Sequence, residues 1–178
     1  MQMTALDQHG VPPRIYLKPG EICFSKTPVV VTTVLGSCVS VTLFHPASGR
    51  AAICHALQPR CPQPYVCAGD CTAKYRYAAC AIEAITRRMT AGGTHRSDIE
   101  VKLFGGAALI GNRRPETLAT SLGRQNVEAA MEALHTAGLR LKVANVGGTV
   151  GRKIIFHTAT GEVFMKRLKG IADLNANN

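Results

Sequence analysis

The chain has 178 residues, 46% of them hydrophobic, and a formal net charge of +10. That length suits one domain able to bury a core without disulfides or metal, and the composition excludes a disordered or fibrous chain. No apolar run reaches the roughly 18 residues needed to span a bilayer, and the first residues have neither the basic start nor the apolar stretch of a signal peptide. A cytoplasmic protein with no transmembrane segment is therefore expected. Seven cysteines cannot all pair within one chain. In a reducing compartment they are buried thiols, metal ligands or a nucleophile. The positive charge favours acidic partners. The basic residues, however, come as scattered pairs (Arg87-Arg88, Arg113-Arg114, Lys166-Arg167), aromatics make up 5% and Trp is absent. Nucleic-acid binding is not expected from such a pattern.

Residues 1–14 read as a flexible lead-in, 15–170 as a single domain and 171–178 as a flexible tail. Strands are predicted at 15–17, 29–34, 39–44 and 51–57, where β-branched or alternating residues dominate. Segment 58–72, with three prolines and three cysteines, reads as a loop. The spacing of Ala78, Ile82, Ile85 and Met89 predicts a helix over 74–91, stopped by Gly92-Gly93. A strand follows at 99–104. A second helix is predicted over 126–137, with Asn126 as its cap and Val127, Ala130, Met131 and Leu134 on one face. Strands at 140–146, 153–157 and 162–168 complete the chain, the last two joined as a hairpin. The glycine-rich pieces FGGA and VGGTVG match neither a dinucleotide fingerprint nor a P-loop, and read as tight turns. This order implies a layered α/β domain with a mixed sheet and two main helices.

The stretch LGSCVSVTLF places a thiol at the start of a strand. A nucleophilic cysteine needs partial exposure and a nearby base. Gly36 would let the backbone turn sharply, and the N–H groups of Ser37 and Cys38 would serve an oxyanion. Strands 39–44 and 51–57 read as a hairpin, so His55 returns beside Cys38. There it could hold a thiolate as an ion pair and later carry a proton. A third group should orient the imidazole. Thr32 and Thr33 lie in the preceding strand, and side-chain alternation turns one of the two inward.

Thr32-Thr33-Val34-Leu35-Gly36-Ser37-Cys38-Val39, with Cys54-His55-Ala56-Leu57-Gln58-Pro59 following, resembles the chemoreceptor glutamine deamidases, CheD. Phe104-Gly105-Gly106-Ala107, Gly123 with Asn126, and Gly147-Gly148 with Gly151-Arg152 extend the likeness over about residues 15–168. The resemblance implies a layered α/β/β sandwich similar to bacterial toxin deamidases. It implies a catalytic set of Cys38, His55 and Thr32, with Gly36 and Ser37 at the oxyanion and substrate side, and no metal or other cofactor. It implies a cysteine-dependent hydrolase that converts selected glutamines of chemoreceptor cytoplasmic domains to glutamate, and a CheC-type phosphatase as partner.

Two other readings compete. Cys54, His55, Cys61, Cys67, Cys71 and Cys80 are close in sequence and could form a metal-binding module, although C-x₅-C-x₃-C is not a standard zinc spacing. A basic interaction module without catalysis is the other.

Overall fold

The computed structural model describes residues 10–62, 73–108 and 121–168. Among the described residues, nine strands and two α-helices form three layers: the two helices, a five-stranded sheet and a four-stranded sheet. This is the α/β/β sandwich expected from the sequence.

The five-stranded sheet contains β2 (Ile22–Ser25), β5 (Arg50–Cys54), β4 (Val39–His45), β6 (Glu100–Gly105) and β7 (Leu141–Val146), in that order. Its strands are antiparallel except the β6–β7 pair. A parallel pair of neighbours needs a crossover, and α2 (Leu122–Thr136) lies between them in sequence. The four-stranded sheet contains β1 (Arg14–Tyr16), β3 (Val30–Leu35), β8 (Arg152–His157) and β9 (Val163–Arg167).

The middle sheet is buried on both faces, which explains the almost wholly buried run of β4. Val39, Val41 and Leu43 face the helices and pack with Ile82, Ile85, Met89 and Leu134. Phe44, Ile53 and Phe104 face the second sheet and pack with Val31, Leu35, Ile154 and Phe156.

Helix α1 (Ala78–Thr90) buries all four residues of its predicted apolar stripe. A single 3₁₀ turn over Lys74–Arg76 precedes it, so the α-helix starts later than expected. Helix α2 starts earlier than expected. Ser121, not Asn126, is its cap, accepting a hydrogen bond from the Arg124 N–H. Asn126 is one turn inside and fully buried, whereas Met131 points outward. Strand β2 has no counterpart in the sequence reading. It is only four residues long, between Pro19-Gly20 and Pro28, and gains its place by pairing with β5.

Candidate active site

The hairpin of β4 and β5 turns through Pro46–Ser48, with Gly49 in the left-handed region at φ 63°. Thr42 pairs with Ile53 in antiparallel register, and Val39 pairs with Ala56 beyond the regular strand. By that register Ser40 stands opposite His55, and Cys38 opposite Leu57. Cys38 and His55 are therefore diagonal neighbours on one face rather than directly opposed. Such diagonals separate Cα positions by roughly 7–8 Å and stay within reach of long side chains. Their shared face looks into the gap between the sheets, where Cys38 packs against the apolar cluster around Leu35 and Phe104.

His55 is 1% exposed. Its Nδ1 lies 2.7 Å from the Thr33 hydroxyl, which reaches across from the second sheet. That hydroxyl donates its only proton to the Leu17 carbonyl at 2.8 Å, so it must accept from the imidazole. The proton of neutral His55 is thereby fixed on Nδ1, and Nε2 keeps its lone pair. Nε2 is buried and makes no hydrogen bond. Nε2 and the Cys38 thiol share one face of the sheet, without a hydrogen bond between them.

The hydroxyl that meets the imidazole is that of Thr33 and not of Thr32, the threonine of the expected catalytic set. Thr33 shares the inward face of β3 with Val31 and Leu35. Alternation puts Thr32 on the outer face, in register with Tyr16 on one side and Ile155 on the other. The two adjacent threonines left the parity open in the sequence, and packing of the neighbouring apolar residues decides it.

Burial governs the charge state of both partners. It lowers the His55 pKa to about 4, opposed weakly by the Leu17 carbonyl and by Glu21. It raises the Cys38 pKa, opposed by that residue's own backbone N–H at the sulfur. Both shifts favour the uncharged forms of thiol and imidazole over the ion pair.

The elbow itself is held by its carbonyls. The Gly36 oxygen accepts from Ala107 N–H, the Ser37 oxygen from the Asn126 amide, and the Cys38 oxygen from Gly106 N–H. In a trans peptide the next residue's N–H points opposite to the carbonyl. The Ser37 and Cys38 N–H groups are thus turned away from these partners. Among the described residues, neither donates to a backbone carbonyl.

Gly36 is not the glycine that the turn demands. Its backbone is not left-handed, whereas Gly105 (φ 108°) and Gly106 (φ 68°) are. A Cβ on Gly105 would overlap the Cys38 carbonyl oxygen, and one on Gly106 would overlap α2 at Val127. The FGGA turn is therefore the wall behind the elbow. Asn126 completes it, with Nδ2 2.9 Å from both the Ser37 and the Leu57 carbonyls. The sequence marks these residues as a tight turn, a helix cap and part of the family likeness, but does not place them behind the elbow.

The other cysteines are arranged differently. Cys54, beside His55 in sequence, points to the helix-facing core, and complete burial raises its pKa to about 12. Adjacent strand residues on opposite faces cannot ligate one ion, so Cys54 and His55 do not form a metal pair. Among the described residues no cluster of three or more His, Cys, Asp or Glu side chains suits a metal. Cys67 and Cys71 lie outside the described residues.

The site can be set against known proteins. The family model described as CheD chemotactic sensory transduction matches residues 64–167. The chain belongs to the CheD family. Among its relatives, a probable chemoreceptor glutamine deamidase CheD of Geobacter sulfurreducens is 44% identical, covering 93% of this chain and 96% of the relative. Its counterpart in Oleidesulfovibrio alaskensis is 39% identical over 97% of this chain and 85% of its own. Among solved structures, the hypothetical protein YfiH of Bacillus licheniformis aligns at a TM-score of 0.40 and 13% identity, covering 79% of this chain and 61% of that one. That likeness is too distant to transfer chemistry. No described helix is long and apolar enough to cross a membrane.

Proposed function

We propose that Cys38 and His55, with Thr33 orienting the imidazole, carry out the deamidation of chemoreceptor glutamines that membership in the CheD family assigns to this chain. The observation that supports it most is the fixed tautomer. Thr33 spends its proton on Leu17, so His55 keeps Nδ1–H and offers Nε2 as a base on the face it shares with Cys38.

The Cys38 sulfur attacks the carboxamide carbon of a glutamine while Nε2 takes the thiol proton. Because both groups rest uncharged, proton transfer accompanies attack instead of preceding it. The tetrahedral oxyanion is met by the N–H groups of Cys38 and Ser37, which donate to no backbone carbonyl among the described residues. The carbon–nitrogen bond then breaks, and the imidazolium gives its proton to the leaving ammonia. A water molecule, deprotonated by Nε2, opens the thioester to glutamate and returns the proton to Cys38. No step calls for a metal or other cofactor.

The reading extends to place. Chemoreceptor cytoplasmic domains as substrate put the enzyme in the cytoplasm. The net charge of +10 favours docking on an acidic helical bundle. A CheC-type phosphatase is the proposed regulatory partner, on the family resemblance alone.

Cys38→Ala tests the assignment. A chemoreceptor cytoplasmic fragment incubated with wild-type protein should gain about 1 Da at each target glutamine, read by mass spectrometry. The variant should give no gain above an enzyme-free control. A variant as active as wild type would dismiss Cys38 as the nucleophile.

A further inference from the structure

Asn126 is neither the proposed nucleophile nor the proposed base, yet it bonds to the backbone just before β4 and just after β5. It lies on α2, is fully buried, and its Nδ2 donates to Ser37, one residue before the nucleophile, and to Leu57, two residues after the base. Both acceptors are carbonyls, so only the NH₂ end of the amide fits there. Its Oδ1 is buried without a hydrogen-bond partner among the described residues. The hydrogen bonding of this amide is therefore concentrated on two carbonyls that flank the proposed nucleophile and base.

The peptide between Ser37 and Cys38 identifies the role of this amide. Asn126 draws the Ser37 oxygen toward α2, and the trans geometry then aims the Cys38 N–H the opposite way, away from the helix. The second bond fixes the chain leaving His55 to the same amide, so one side chain sets the nucleophile's strand against the base's strand.

We infer that Asn126 is a positioning residue that aims the Cys38 N–H at the oxyanion of the deamidation. The inference rests on the Cys–His mechanism above. Its specific content is that Asn126 acts on the charge formed in the transition state and not on the reactivity of the thiol.

Two reactions of the same sulfur separate these effects. Glutamine deamidation passes through an oxyanion. Alkylation by iodoacetamide is a direct displacement on carbon that needs the thiolate but no oxyanion site. Asn126→Leu removes both donors while keeping the volume near that of the amide, and Asn126→Ala serves where the leucine does not fold. The expected result is a fall in kcat on the order of 10²–10³ with KM little changed. The alkylation rate of Cys38 should stay within about threefold of wild type.

Ser121→Ala is the control, because it removes the cap of the same helix without touching the clamp. It should lower the melting temperature and leave kcat alone. A kcat unaffected by Asn126→Leu overturns the inference. So does a parallel loss of deamidation and alkylation, because Asn126 would then hold only the fold around the thiol. Deamidation surviving in Cys38→Ala would instead defeat the mechanism itself.

Discussion

The middle sheet separates two cores of different chemistry. On its helix side, Val41, Leu43, Ile82, Ile85 and Met89 form an apolar filling. On its other side the filling is interrupted at one end, where His55, Thr33, Ser40 and Arg152 are buried with their polar atoms. The difference shows how a small sandwich divides its work. Alternating strand residues let one core be largely apolar while the other hides an imidazole from water. The guanidinium of Arg152 belongs to the second arrangement. Its Nε donates to Asn145 Oδ1 and one terminal nitrogen donates to the Gly147 carbonyl, which fastens the β7–β8 connection beside the elbow.

Substitutions on the two sides should separate stability from rate. The largest effect on stability is expected from Ile85→Ala, which opens a cavity between α1 and the sheet. It should cost about 2–5 kcal/mol, measured by denaturant unfolding, with kcat per folded molecule unchanged. A rate loss there would erase the distinction between the cores.

The next effect comes from acid. His55 has a folded pKa of about 4 against about 6.5 when unfolded. The unfolded chain binds its proton first, so the stability this group supplies is complete above pH 6.5 and is lost as pH falls toward 4. The loss should reach roughly 3 kcal/mol. The drop in unfolding free energy across that window should be larger for wild type than for His55→Gln by this amount, and equal drops would mean that the imidazole is not sequestered.

The smallest effect discriminates most finely. Thr33→Val removes the acceptor of the Nδ1 proton and should lower kcat about tenfold, roughly 1.4 kcal/mol in the barrier. Thr32→Val, on the outer face, should leave kcat within about twofold. The opposite ranking would restore Thr32 as the orienting residue.

Much of this arrangement was legible beforehand because it is local. The hairpin follows from alternation and a Pro-containing turn, and it alone brings His55 near Cys38. The stripe Ala78, Ile82, Ile85 and Met89 specifies α1 by spacing. What could not be read depends on contacts distant in sequence. A polar residue near a helix start resembles a cap, so Asn126 concealed its bonds to Ser37 and Leu57. Two consecutive threonines carry no parity until Val31 and Leu35 are seen packing inward. Strand β2 is too short to declare itself without β5 beside it. The charge state was hidden as well, since burial of the imidazole depends on both sheets closing over it.

Gly105 carries one more implication. Because the reactive loop rests on a backbone with no side chain, its shape is shared property of two strands that meet only after folding. Copying Leu35-Gly36-Ser37-Cys38 into a foreign hairpin would transfer the sulfur without the surface that supports it. Anyone engineering this chemistry elsewhere must move β4, β6 and their intervening corner together.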